Sequence, residues 1–90
     1  MKKALTGIAW CKDSPIRYYL LTEELENGST VYGTSVAYLG ESAETRGLTF
    51  SYQSAVHLLD LLCRGTVTPV TARDVVMDWL IDRNDSACNF

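Results

Sequence analysis

Apolar and polar positions follow two different rhythms along the chain: short runs broken by turn residues in the first half, and helical spacing in the second. Leu5 to Cys11 is apolar and β-compatible and is closed by Lys12-Asp13-Ser14-Pro15, while Ile16 to Leu25 is a longer run dense in Tyr and Leu. Both read as strands bounded by turn residues. Asn27-Gly28 follows, the dipeptide best suited to a two-residue type I′ hairpin turn, because both residues tolerate a positive φ. Thr30 to Leu39 is then the returning strand. Gly40 to Gly47, with Glu41, Ser42 and Glu44, reads as a solvated loop, and Leu48 to Phe50 as a short fourth strand.

From Tyr52 the spacing becomes helical. Ala55, Val56, Leu59, Leu62 and Cys63 share a face widened by Leu58, with Ser51 placed to cap the start and Gly65 to stop the end. A second helix begins either at Pro69 behind Thr68 or at a Thr71 cap with Asp74 three residues on, and runs to about Asp82. Its inward face is Ala72, Val75, Val76, Trp79 and Leu80. The connector from Thr66 to Thr68 is short, which makes the helices antiparallel neighbours. Arg83 to Phe90 has neither period nor cap and is expected to fray. The expected fold is a single α+β domain over residues 1–83, an antiparallel β-meander of about four strands followed by two antiparallel helices packed on one sheet face, with a tail at 84–90.

Register sorts these strands into faces. A two-residue turn at Asn27-Gly28 sets Tyr19 against Val36, Leu21 against Thr34, Arg17 against Tyr38 and Glu23 against Tyr32. A similar turn at Asp13-Ser14 adds Trp10 opposite Arg17 and Ile8 opposite Tyr19. One face then carries Ile8, Trp10, Arg17, Tyr19, Leu21, Tyr32, Val36 and Tyr38. The other carries Leu5, Gly7, Ala9, Cys11, Ile16, Tyr18, Leu20, Val31, Gly33, Ser35, Ala37 and Leu39. Small residues let a helix approach closely, so the helices are assigned to the second face, the reverse assignment staying open. The first face is then uncovered and aromatic where an antiparallel sheet facing water is ordinarily polar. Such a patch marks a contact surface, so the expected partner is a protein or a second copy of the chain.

Composition narrows the classes of partner. The chain has 90 residues, 8 basic against 11 acidic side chains and a net charge of −3, which leaves no basic face to neutralise phosphates or anionic lipid. Neither nucleic acid nor membrane is expected to bind. The tyrosines and tryptophans could stack unpaired bases, but such platforms are flanked by Lys and Arg, and only Arg17, with Lys12 at the edge, lies on the aromatic face. Cys11, Cys63 and Cys88 are odd in number and include no Cys-x-x-Cys pair, a pattern of reduced thiols in a cytoplasm. Lys2-Lys3 before Ala4 to Cys11 mimics a signal peptide, yet Thr6, Gly7 and Trp10 interrupt the run and Lys12-Asp13 ends it.

No catalytic residue, cofactor or metal is expected. His57 has Asp60 as a helical neighbour but no accompanying nucleophile motif. Asp74, Asp78 and Asp82 form a straight stripe on one helix, whereas a hard cation needs oxygens converging from several elements. No glycine-rich phosphate loop occurs.

The stretches Tyr18-Tyr19-Leu20-Leu21-Thr22-Glu23-Glu24, Val31-Tyr32-Gly33 and above all Thr66 to Leu80 resemble a small family of uncharacterised proteins of Firmicute, mainly clostridial, bacteria. The resemblance implies a cytoplasmic bacterial protein and transfers no site residue. Two classes of function follow: an interaction or binding module using the aromatic face, or a small enzyme or ligand-binding protein whose site forms on assembly around His57 or the acidic helix.

Overall fold

The computed structural model describes residues 1–88, with side chains described to Ile81. Four strands, β1 (Lys2–Cys11), β2 (Ser14–Glu24), β3 (Thr30–Tyr38) and β4 (Glu41–Thr49), form one antiparallel sheet in chain order. Two helices, α1 (Tyr52–Arg64) and α2 (Pro69–Cys88), follow. The α+β meander with helices on one sheet face is therefore the fold.

The turns decide which residues face the helices. Lys12-Asp13, both at positive φ (50° and 69°), joins β1 to β2, so Ala9 pairs with Ile16 and Trp10 with Pro15. Relative to the Asp13-Ser14 turn, these partners have moved by two residues, which leaves the side chains of Gly7 to Cys11 on their expected faces. The β2–β3 loop differs in a more consequential way. Gly28 N–H donates to the Leu25 carbonyl (3.0 Å) and Leu25 N–H to the Ser29 carbonyl (2.8 Å), with Gly28 alone at positive φ (86°). This is a three-residue loop, a turn followed by a glycine bulge, instead of the two-residue type I′ turn. The register moves by one residue: Tyr18 pairs with Val36 and Tyr19 with Ser35. All of β3 is turned over, so Tyr32, Val36 and Tyr38 lie under the helices, and Val31, Gly33, Ser35 and Ala37 lie on the outer face.

Two further expectations in the sheet are corrected. Residues 41–47 are strand, not loop, and run on into the expected strand at Leu48, because Leu39-Gly40 (φ 50° and 80°) turns the chain straight back. Ala43 and Thr45 then point inward between exposed Ser42, Glu44 and Arg46. In β1 the register shifts between Leu5 and Gly7. Thr6 is the extra residue of this bulge, and it moves Leu5 to the outer face.

The core lies between the inner face and the helices. Ile16, Tyr18, Leu20 and Val36 pack with Ala55, Leu58, Leu59 and Leu62 of α1 and with Ala72 and Val76 of α2. α1 rests on β1 to β3 and α2 chiefly on β4. Gly7 permits the close approach of α1, since a Cβ there would lie 3.2 Å from Cys63 Sγ. The buried Tyr18 hydroxyl donates to the Val67 carbonyl at 2.8 Å, tying the centre of the sheet to the α1–α2 connector. Burial, helped by the nearby Cys63 and Cys11 thiols, pushes its pKa up to about 12.

Both helices start where the sequence suggests. Ser51 caps α1 by accepting from Ser54 N–H (3.2 Å), and α2 starts at Pro69, with Ala72 N–H donating to the Thr68 carbonyl (2.9 Å); the Thr71 alternative is not used. The end of α1 differs from expectation. Gly65 is right-handed (φ −82°) and Thr66 takes the left-handed position (φ 51°). Thr66 N–H then reaches the Cys63 carbonyl (3.1 Å) and Val67 N–H the Leu62 carbonyl (3.0 Å), the paired bonds of a Schellman motif. α2 continues to Cys88 instead of ending near Asp82, since no Gly or Pro interrupts Arg83 to Ala87. The last two residues of the expected tail, 89 and 90, lie outside the described residues.

A candidate contact face on the outer side of the sheet

Among the described residues no helix lies over the outer face, and its two halves are treated differently. Toward β3 and β4 it is closed by ion pairs. The register shift between Tyr32 and Thr34 brings the β4 backbone over Gly33, where a Cβ would meet the Thr45 carbonyl oxygen at 2.2 Å. Only glycine fits beneath that bulge. From there Arg46 reaches across β3 and donates two hydrogen bonds to Glu23, Nε to Oε1 at 3.2 Å and Nη2 to Oε2. The guanidinium holds the Glu23 carboxyl below the usual carboxylate range. Lys3, on β1, leans the other way across the two inner strands, with its Nζ 4.6 Å from the centre of the Tyr19 ring and 3.5 Å from Glu44 Oε2 on β4. The stems of these long side chains shield what lies below them: Leu21 keeps 2% and Val31 6% of its surface exposed.

Toward β1 the face is open. Leu5, Ile8 and Trp10 are 51%, 45% and 67% exposed, all on the outer side of one strand and bordered by Pro15 and Arg17 of β2. Among the described residues β1 is an edge strand, paired only with β2.

Of the candidate contact residues read from sequence, Ile8, Trp10, Arg17, Tyr19 and Leu21 do share the outer face. Ile8, Trp10 and Arg17 are exposed, Tyr19 is half-buried beneath Lys3, and Leu21 is enclosed. Tyr32, Val36 and Tyr38 are not part of it. Tyr32 packs edge-on against Tyr52 of α1 (ring centres 5.7 Å apart), Val36 is in the core, and the Tyr38 hydroxyl donates to the Cys11 carbonyl (3.2 Å). Leu5 was missed because nothing in the residues around Thr6 announces a bulge. The ion-pair cover had a weak signal, the spacing of Glu44 and Arg46 two apart in a stretch otherwise taken for loop.

The alternative centre on α1 and α2 does not assemble. His57 is exposed and Asp60 bonds Arg64 one turn on (3.0 Å). Asp74 and Asp78 face solvent, and the Asp82 side chain lies outside the described ones. Among the described residues no three His, Cys, Asp or Glu side chains gather as metal ligands would. A hollow of about 140 Å³ between the β1 bulge and α1 is lined by Thr6, Gly7, Val56, Leu59, Asp60 and Cys63. A groove of about 440 Å³ at the far end of the sheet is lined by Met1, Lys2, Thr22, Glu23, Glu24 and Arg46, and there Glu23 and Arg46 already satisfy each other.

Residues 8–82 match a protein family as a continuous stretch, from the second half of β1 into α2. The chain belongs to the family of unknown function DUF6514. No curated protein and no solved structure matches it. The DUF6514 match takes in Ile8, Trp10 and the whole ion-paired half of the outer face except Lys3. Among the described residues of this DUF6514 chain, no helix is long and apolar enough to cross a membrane.

Proposed function

We propose that this DUF6514 chain is a small interaction module that docks a protein partner, or a second copy of itself, on the β1 side of the outer sheet face. One observation carries the proposal: Leu5, Ile8 and Trp10 stand exposed side by side on an edge strand, while the β3–β4 half of the same face is closed by ion pairs. Large apolar side chains are singly common on surfaces, but a contiguous group beside an open strand edge suits a contact. Trp10 joins a large apolar area to a polar N–H that can stay wet, the chemistry of interface anchors. The resemblance to Firmicute sequences supports a bacterial setting, and the unpaired thiols of Cys11 and Cys63 support a cytoplasmic one.

Capture from native lysate tests the docking surface. Trp10→Glu and Ile8→Glu are expected to lose whatever the wild type holds, whereas Val70→Glu, at a more exposed apolar position on α2, is expected to keep it. Equal capture by all four proteins would remove the β1 face from consideration.

A further inference from the structure

We infer that the occupant of the β1 face is a second copy of the chain, paired antiparallel through β1 to give one continuous eight-stranded sheet. This rests on the docking reading above and commits it to one partner and one register. β1 is ten residues long and its outer edge is unpaired. Natural sheets guard such edges with outward-pointing charges, above all Lys. Here Lys3 is drawn inward, across Tyr19 to Glu44, which leaves exposed Lys2, at the very end of β1, as the strand's other charge. The opposite edge, β4, carries three exposed charges, Glu41, Glu44 and Arg46, against two on β1, and pairing β1 with β1 closes as a two-fold dimer instead of extending into a filament.

The bulge at Thr6 sets the register. Because it inserts one residue, Leu5 and Ile8 share a face although they lie three apart. A two-fold axis between Thr6 and Gly7 then places Leu5 of one copy opposite Ile8 of the other and Lys3 opposite Trp10, as lateral neighbours on one continuous outer face. Ala4 and Ala9 meet in the same way on the helix side. Lys2 falls opposite Cys11, so no like charges are opposed. The facing flanks of the exposed apolar side chains, with the backbones of two paired strands, come to on the order of 1,000 Å² of buried surface, the lower bound for a specific interface.

Light scattering across a concentration series tests the inference. Wild type is expected at twice its 10.0 kDa chain mass. Leu5→Lys and Ile8→Glu are each expected to fall to the monomer with unchanged circular dichroism, since both positions are solvent-facing in the single chain. The double variant is expected to recover the dimer, because this register sets position 5 of one copy against position 8 of the other and opposite charges then meet. If Ile8→Glu fails to fold, the concentration series of wild type and Leu5→Lys decides alone. A monomeric wild type, a dimer indifferent to the single variants, or a double variant as monomeric as the singles would each overturn the pairing. If wild type is monomeric but Trp10→Glu still abolishes capture from lysate, self-pairing fails and the docking reading stands; if neither effect is seen, both fail.

Discussion

The two faces of this sheet are closed by different physics. The inner face is covered by rigid elements: leucines of α1 and the small and β-branched residues of α2 interlock with Ile16, Tyr18, Leu20 and Val36. The outer face is covered, where it is covered at all, by the stems of Lys3, Glu44, Arg46 and Glu23. Helices fix side chains in a close-packed interior, whereas exposed ion pairs hold long flexible chains weakly and yield to salt. A cover of the second kind suffices to keep Leu21 and Val31 out of water. It ends before β1, and what it leaves open is the surface that can take a partner.

The sharpest way to break this comparison is to remove the same side chain from each face. Leu62→Ala, beneath the helices, is expected to cost about 3–5 kcal/mol. Leu21→Ala is expected to cost less, about 2–3 kcal/mol, because flexible stems can settle into the space. Urea denaturation measures both, and equal losses would mean that the outer cover is as rigid as the helices. Next in size is Gly33→Ala, which forces a methyl group against the β4 backbone (Thr45 oxygen at 2.2 Å) and should cost about 1–3 kcal/mol. It should also free Arg46 from Glu23, visible as a Glu23 carboxyl that titrates higher by NMR.

Tyr18→Phe tests the fastening between sheet and helices. Losing the bond to the Val67 carbonyl is expected to cost about 1–2 kcal/mol at neutral pH. The sign with pH follows from the raised pKa. A hydroxyl that ionises near 10 in the unfolded chain and at about 12 in the fold stabilises fully below pH 10, and its contribution is lost as pH rises toward 12. Denaturation midpoints of wild type and Tyr18→Phe should therefore converge across that interval. The smallest effect is a gain. Thr66→Gly relieves a β-branched residue at φ 51° and should raise stability by about 0.5–1 kcal/mol, read as a higher melting temperature.

How much of this was legible in the sequence turns on single residues. The helices were legible because caps and apolar spacing agree: Ser51, Thr68-Pro69 and the faces through Leu62 and Val76 all perform as their types suggest. The strands β1 to β3 were legible for the same reason. Faces were harder, since side chains alternate with a period of two. Moving the β1–β2 partners by two residues changed no face, while the single residue added to the Asn27-Gly28 loop turned over Tyr32, Val36 and Tyr38 together. Asn-Gly serves a two-residue type I′ turn and a three-residue loop with a glycine bulge alike, so its presence marks the hairpin without fixing the count. β4 was hidden because its inward residues, Ala43 and Thr45, are small and its turn places Leu39, a poor candidate for positive φ, in the left-handed region. Five of the eight expected contact residues survived these shifts, because β2 and the part of β1 beyond the bulge kept their faces.

Everything proposed for β1 depends on which residues the helices cover, and methyl-resolved nuclear Overhauser spectroscopy measures that directly. The expected result is that Val36 methyl protons show cross-peaks to the aliphatic side chains of α1 and α2, while Leu21 methyls show them to Lys3 and Arg46 and to neither helix. Cross-peaks from Leu21 to the helices, with Val36 beside Tyr19 on the outer face, would contradict the account.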